Sequence, residues 1–246
     1  MMMSRHAVYA MPKHPPGTVI HCTTGYARCM SFFDSLNRLE VPNGTGFEKS
    51  VGTGVAAMMN GLTVNLRPEA RWTWIIGDDH EFRADILKRL LIRAELFQCD
   101  VLVPLVCKKA PPFDSVLFDL KTTKPLDFMD LAESDEPQEV FAAGTAGMLV
   151  QNHVIEKIMV NPDATGWARP FRIGWGQPDA SDEDVYFCHR IRECGFKIHV
   201  DPTVSMSHIP AEVFVEPVRT PNGEWWIRFK WPDGRHFMIP AQRPVR

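Results

Sequence analysis

Short apolar runs alternate with segments of helical hydrophobic spacing along the first half of this chain, and that alternation restricts the folds open to it. Residues 17–22, 71–77 and 100–107 are rich in apolar side chains and predict strands. The third run is apolar almost throughout, which is typical of a strand buried on both faces. Helical spacing predicts helices between these strands, at residues 26–39, 53–62 and 82–97. This alternation favours an α/β fold with a mostly parallel sheet flanked by helices.

The second half of the chain is less regular. Residues 127–139 carry six acidic side chains and no basic one, which predicts a solvated loop. Residues 140–150 are expected to return to the sheet, and residues 161–182 to form a long loop that is a candidate lid. A helix is predicted from 182 to about 195, and a strand follows at 197–205.

The C-terminal segment predicts a β-hairpin, with strands at 225–229 and 235–239 around a Pro-Asp-Gly turn. From residue 216 onward, six Lys and Arg outnumber three acidic residues and interleave with Trp225, Trp226 and Trp231. Such a surface can stack bases or sugars and contact phosphates, or its tryptophans can pack on the main domain. We divide the chain into a lead-in (1–16), a main domain (17–210) and a C-terminal extension (211–246).

Composition excludes several classes of protein. With 246 residues and 45% hydrophobic content the chain can bury a sizeable core. A net charge of -3 gives no overall field that would gather nucleic acid, so any polyanion contact must be local. No apolar run approaches the ~18 residues of a membrane span, and no secretion signal is visible. Six cysteines without a CxxC spacing favour reduced thiols, and we expect a cytoplasmic protein.

Asp78, Asp79 and His80 follow directly after the predicted strand at 71–77. Ligands of open α/β sheets bind at the carboxyl ends of the strands, so these side chains stand where a ligand is expected. Their oxygen and nitrogen atoms suit Mg²⁺ or Mn²⁺ bridged to a diphosphate. The alternative is an Asp-rich turn that caps the following helix.

Two later features also combine charge with a strand or helix end. Glu183 and Asp184 lie at the start of a predicted helix, where they are either functional carboxylates or a favourable N-terminal cap. His208 follows the predicted strand at 197–205 and is either a ligand or an ordinary surface histidine. Each feature taken alone is a weak signal.

In sequence order these features resemble the GT-A fold glycosyltransferases, in particular the family 2-like members, over roughly residues 17–210. The metal motif of that family, of Asp-x-Asp type, corresponds to the stretch WTWIIGDDHEF. The other matching elements are the strand and turn VIHCTTG, the residues Gly52, Gly54, Ala56 and Asn60, the stretch AAGTAGMLV, the pair Glu183-Asp184, and His208.

The resemblance implies a metal-dependent glycosyltransferase that moves a sugar from a nucleoside-diphosphate sugar, with UDP the expected base, to an acceptor hydroxyl. It implies an inverting reaction with Asp184 as general base and Glu183 as the residue that orients the acceptor. The implied cofactor is Mn²⁺ or Mg²⁺, held by His208 with Asp79 or His80, since Asp-x-His is also a metal motif of this fold. Contacts to the nucleotide sugar are implied for His21, Thr23, Thr24, Gly25, Asn60, Asp78, Gly144, Thr145, Ala146 and Gly147.

Other functions remain open at this point. The acceptor is undefined, and a glycan or a modified nucleic acid would suit the C-terminal Trp and Arg residues. A nucleotidyltransferase shares the α/β plan, although Thr23-Thr24-Gly25-Tyr26 is a poor version of its Gly-rich, basic phosphate loop. A non-catalytic module that binds glycans or nucleic acid through the C-terminal segment is the third possibility.

Overall fold

A seven-stranded sheet forms the centre of the computed structural model, which describes residues 14–23, 30–52, 54–108, 113–131, 134–173, 183–209, 214–230 and 235–241. In spatial order its strands are Gly46–Val51 (β2), Thr18–Thr23 (β1), Trp72–Gly77 (β3), Met148–Gln151 (β9), Val101–Leu105 (β5), Ile198–Ser205 (β10) and Gln138–Val140 (β7). Only β9 and β7 run against the other five. The predicted mostly parallel sheet is therefore confirmed.

Helices cover both faces of this sheet, because each has an apolar side that it must bury. Within the described residues the α-helices are Met30–Arg38 (α1), Val55–Thr63 (α2), Ile86–Phe97 (α3), Asn152–Val160 (α4) and Glu183–Glu193 (α5). Side chains of α1 and α3 bury into one core cluster, and side chains of α2, α4 and α5 into another. The fold is a three-layer α/β sandwich.

A second, antiparallel sheet begins where the central sheet ends. In spatial order its strands are His236–Pro240 (β14), Trp225–Lys230 (β13), Phe214–Arg219 (β12), Ser207–His208 (β11) and His80–Glu81 (β4). Because β4 follows β3 after a two-residue turn and β11 follows β10 after Met206, both sheets meet at one edge. The predicted hairpin is present as β13 and β14, and the unpredicted β12 joins it to β11.

The alternation along β13 explains the unusual composition of the C-terminal segment. Trp225, Ile227 and Phe229 are buried, whereas the residues between them are half-exposed. The Trp225 ring packs edge-to-face on Phe128 at 5.4 Å between centroids. Trp225 therefore completes the core, and Trp231 lies outside the described residues.

The prediction of a solvated loop at 127–139 is wrong in part. Phe128–Leu131 forms a 3-10 helix whose two end residues are buried. Gln138–Val140 is the edge strand β7, paired with β10. The acidic composition of this segment gave no signal for either element. A strand at a sheet edge needs few apolar side chains, so its sequence can resemble that of a loop.

The stretch at 140–150 is not one strand. It divides into Ala142–Ala143 (β8), which pairs with Leu117–Phe118 (β6), and β9. Gly147 adopts φ +74° between them, and a Cβ there would come within 2.4 Å of the Met206 sulfur. The tight turn thus requires glycine.

The predicted long loop at 161–182 has no helix or strand over residues 161–173, and the rest of it lies outside the described residues. No helix in the part of the chain that the structure describes is both long and apolar enough to cross a membrane. The cysteines described there are free thiols: Cys22, Cys99, Cys107, Cys188 and Cys194.

Candidate active site

A cavity of about 280 Å³ lies where the two sheets meet. The strand ends of the central sheet, the start of α5 and the turn after β8 open into it. Among the described residues its lining consists of Cys22, Val55, Met59, Gly77, Asp78, Asp79, His80, Val116, Gly144, Thr145, Ala146, Glu183, Asp184 and His208. Residues that are far apart in sequence thus share one cavity at the carboxyl edge of the sheet, where ligands of α/β folds bind.

Asp79, His80 and His208 form a cluster in this cavity. One potential ligand atom from each lies within 4.8 Å of those of the other two. His80 and His208 are directly opposite each other on β4 and β11, and their rings stack at 4.4 Å with 18° between planes. The short antiparallel ladder therefore brings the two imidazoles together beside the Asp79 carboxylate.

His208 is held in an orientation that suits a metal ligand. Its Nδ1 lies 2.8 Å from the backbone carbonyl of Cys107, and this hydrogen bond requires the proton on Nδ1. In the neutral ring Nε2 then presents a lone pair, and this atom lies 3.4 Å from Oδ2 of Asp79. Two electron-pair donors that face each other at this distance need a cation or a proton between them.

His80 is buried, with only 4% of its surface exposed. Its Nδ1 lies 2.9 Å from Asp79 Oδ1 and 3.3 Å from the Gly77 carbonyl. Burial lowers the pKa of His80, and this outweighs the upward effect of the Asp79 carboxylate. His80 is therefore neutral at physiological pH, the form in which imidazole binds metals.

The donor set fits a divalent transition metal. One carboxylate and two imidazoles suit Mn²⁺ better than Mg²⁺, which prefers oxygen ligands. Among the described residues, Nε2 of His80 is buried without a hydrogen-bond partner. A buried imidazole nitrogen without a partner destabilises the folded protein unless a ligand binds it.

Asp184 and Glu183 reach the same cavity from the first turn of α5. The Thr145 hydroxyl donates a hydrogen bond of 2.6 Å to Oδ1 of Asp184. A Cβ at Gly144 would lie 3.6 Å from Oδ2 of Asp184, so the missing side chain leaves the carboxylate accessible from that side. The arrangement fixes a carboxylate in an open part of the cavity.

The lining is strongly acidic. Asp78, Asp79, Glu183 and Asp184 contribute four carboxylates, and no Lys or Arg occurs among the described lining residues. An anionic ligand such as a diphosphate would be repelled here unless a cation accompanied it.

Four predicted donor-site residues are not among the described residues that line this cavity. The ring of His21 packs edge-to-face on Phe32, at 5.5 Å between centroids, on the α1 side of the sheet. Thr23 is buried at the end of β1. Asn60 holds the backbone of Phe171, donating to its carbonyl at 2.7 Å and accepting from its N–H at 3.0 Å.

The fourth, Gly147, forms the tight turn before β9, and its carbonyl accepts a hydrogen bond from the Trp74 indole at 2.8 Å. Thr24 and Gly25 lie outside the described residues.

Sequence reasoning missed several cavity residues and one anchor. Cys22, Val55, Met59 and Val116 line the cavity, but apolar residues in a strand or helix carry no functional signal of their own. Burial raises the pKa of Cys22 to about 12, helped by the nearby Asp78 and Glu183 carboxylates, so this thiol is not a nucleophile. The anchor of His208 is a backbone carbonyl, which no sequence pattern reveals.

Comparison with protein families and with curated proteins finds no match. Solved structures do match. The crystal structure of A197 from STIV covers 94% of this chain and 96% of its own, at 12% identity and a TM-score of 0.55.

The structure of GalNAc-T7 with UDP, GalNAc and Mn²⁺ covers 81% of this chain at 12% identity and a TM-score of 0.55. This chain spans 44% of that protein, a GT-A-type glycosyltransferase. Identity this low shows the architecture alone. The chain therefore has the GT-A glycosyltransferase fold.

Proposed function

We propose that this protein is a metal-dependent glycosyltransferase that moves a sugar from a nucleoside-diphosphate sugar to an acceptor hydroxyl. The observation that carries the proposal is the shared cavity, which joins the Asp79, His80 and His208 cluster to the fixed carboxylate of Asp184. One end can hold a diphosphate through a cation, and the other can take a proton. Glycosyl transfer needs both functions at opposite sides of one sugar.

Asp79, His80 and His208 would hold the divalent ion, and two imidazole ligands favour Mn²⁺ over Mg²⁺. When bound, such an ion acts as a Lewis acid that offsets the charge of the departing nucleoside diphosphate. The GalNAc-T7 structure contains UDP and Mn²⁺ on the same fold, which supports UDP as the nucleotide. Asp78 and the small residues Gly144 and Ala146 would contact the donor, because they line the cavity beside the cluster.

Asp184 would act as the general base of an inverting reaction. Its carboxylate is oriented by the Thr145 hydroxyl at 2.6 Å, so it is positioned before the acceptor arrives. There it would take the proton of the acceptor hydroxyl while that oxygen attacks the sugar. The neighbouring Glu183 would orient the acceptor. Residues 17–210 would form the catalytic domain, with 211–246 as its extension.

A donor and metal screen tests the proposal. UDP-, GDP-, CMP- and dTDP-sugars are each added with EDTA, Mg²⁺ or Mn²⁺, and the thermal midpoint and nucleotide release are measured. We expect one nucleotide class, UDP first, to raise the midpoint and to be hydrolysed slowly only when Mn²⁺ is present, because ligands that bind only the folded state stabilise it. Equal stabilisation in EDTA and Mn²⁺, or no response to any donor, would contradict the proposal.

A further inference from the structure

A second, larger groove of about 570 Å³ lies on the opposite side of the β4–β11 ladder. On these strands His80 pairs with His208 and Glu81 pairs with Ser207. Because successive side chains of a strand point to opposite faces, the histidine pair faces the active-site cavity and the Glu81–Ser207 pair faces this groove. The two pockets are back to back.

The groove is rich in cations. Its floor is the polar face of β13, and its walls come from α1, α3 and the segment after β4. The Lys and Arg residues that line it are Arg38, Arg83, Arg89, Arg228 and Lys230. The described lining contains two acidic residues, Glu81 and Glu216, so five positive charges less two negative ones leave an excess of three. The groove is therefore locally positive, although the whole chain has a net charge of -3.

Part of this positive charge is paired within the groove. Arg228 Nη2 lies 2.7 Å from Glu216 Oε2, and Lys230 Nζ lies 3.4 Å from Glu81 Oε1.

The remaining arginines are less neutralised. Arg83 pairs with Asp85 at 3.0 Å. Arg38 donates from Nε to the backbone carbonyl of Asp34 at 2.9 Å, and Arg89 donates to the backbone carbonyl of Thr203. Within the described residues these two guanidinium groups donate to neutral carbonyls. Asp85 lies close enough to attract the charge of Arg89, so the charge of Arg38 is the more available to an anion.

We propose that this groove binds the phosphodiester backbone of a nucleic acid strand. Its cations come from four separate elements around a volume that exceeds what one phosphate fills, so they fit a ligand with successive phosphates. A neighbouring depression of about 590 Å³ shares Ser205 and Glu216 with the groove and extends it. Half-buried Trp226 lies on the same face of β13, two residues before Arg228, where an aromatic ring can stack a base.

This binding goes beyond the proposed transfer reaction and does not depend on it. The groove faces away from Asp79 and His208, so it holds its ligand at a distance from any reacting atom. It contains neither the metal cluster nor the Asp184 carboxylate.

The test uses the full chain in EDTA without a nucleotide sugar, so that failure of the proposed transferase function leaves the result unaffected. Fluorescence anisotropy measures binding of a labelled oligo-dT of about 12 nucleotides, and of a duplex of equal length, between about 50 and 200 mM salt. The single-strand and duplex arms show which form of nucleic acid the groove takes.

The double variant Arg38→Glu with Lys230→Glu is compared with a matched control, Lys121→Glu with Lys157→Glu. Both change the net charge by the same amount, but Lys121 and Lys157 do not line the groove. We expect the groove variant to bind at least about tenfold more weakly and the slope of log K against log salt to fall by about two. The control should bind as the unmodified protein does.

Thermal midpoints within a few degrees of each other confirm that both variants are folded. Three results would overturn the proposal: no salt-dependent binding of either oligonucleotide, equal loss in both double variants, or displacement of the oligonucleotide by tripolyphosphate at an equal concentration of phosphate groups. The last result would show a site for small polyphosphates.

Discussion

The hydroxyl of Thr145 donates a hydrogen bond of 2.6 Å to Oδ1 of Asp184, across 39 positions of sequence. Thr145 lies in the turn after β8 and is buried, whereas Asp184 lies in the first turn of α5. The bond therefore ties the carboxylate to the sheet as well as to its own helix. A carboxylate held from two elements keeps one orientation, as a general base requires.

Asp184→Asn separates chemistry from donor binding. The amide keeps the size of the side chain but cannot take a proton, so transfer should be slower by about 10² or more. Donor affinity should stay near that of the unmodified protein, because the metal cluster is unchanged. Steady-state transfer and calorimetric titration with donor check both expectations. If the variant transfers sugar at a rate within about tenfold of the unmodified protein, Asp184 is a helix cap and not the general base.

Thr145→Val tests whether the hydroxyl positions the base. Valine has nearly the same shape, so the loss is one hydrogen bond to a charged group, and kcat should fall by about tenfold. KM for the donor should not change, and Thr145→Ser should restore kcat because serine keeps the hydroxyl. A rise in donor KM with constant kcat would instead place Thr145 among the donor contacts.

Asp79→Ala should abolish the Mn²⁺-dependent part of donor affinity. Without that carboxylate the cluster keeps only two imidazoles to hold the ion that would offset a diphosphate. Calorimetry with the donor identified by the screen, in Mn²⁺ and in EDTA, measures the difference. Asp34→Asn, an exposed carboxylate on α1, is the matched control and should bind normally. Undiminished Mn²⁺-dependent binding by the Asp79 variant would remove this residue from the metal site.

Asp163 should make stability depend on pH. Burial alone would raise the pKa of Asp163. Hydrogen bonds from the Thr165 hydroxyl, the Trp167 N–H and the Tyr186 hydroxyl lower this pKa by a larger amount, so it lies well below its usual range. Because the folded pKa lies below the unfolded one, ionised Asp163 stabilises the fold above about pH 4, and this contribution is lost as pH falls toward the folded pKa.

The Asp163→Asn variant should therefore melt several degrees below the unmodified protein at pH 7. The gap should narrow as the pH is lowered from about 4 to 3, as thermal unfolding followed by circular dichroism would show. A gap of the same size at both pH values would mean that the charge of Asp163 contributes nothing.

Trp225→Ala should destabilise the protein by about 3–5 kcal/mol, the usual cost of removing a buried aromatic side chain. Trp226→Ala is the neighbouring control and should cost much less, because Trp226 is only half-buried on the opposite face of β13. Urea denaturation of both variants gives the comparison. Equal losses would show that the inner face of β13 does not belong to the core.

The sequence predicts β1, β3, β5 and β10 to within two residues. The apolar run of β5 marks a strand that is buried on both faces, and the other three strands are rich enough in apolar and β-branched residues to be recognised. The sequence does not reveal β2, whose residues are mostly half-exposed or exposed at the sheet edge. Helix α4 follows β9 directly, so no turn residue marks its start in the sequence. Nor does it reveal the reversed direction of β9, since hydrophobicity carries no information about strand direction.

The candidate site shows a similar division. Local motifs identify Asp78, Asp79 and His80, because charged residues at the end of an apolar strand stand out. The contact between His80 and His208, by contrast, depends on the pairing of two strands of only two residues each. The bond between Thr145 and Asp184 depends on how a turn meets a helix. Such contacts arise from tertiary packing, so no local pattern contains them.

The ladder of β4 and β11 also restricts how this region of the chain can vary. His80 lies opposite His208 and Glu81 opposite Ser207, and the Ile209 N–H bonds the Asp79 carbonyl at 2.8 Å. A slip of one residue would reverse the faces, sending a carboxylate into the cavity and an imidazole into the cationic groove. A substitution between Gly77 and Glu81 changes either the active-site cavity or the cationic groove. A single inserted or deleted residue there would shift the strand register and disrupt both sites.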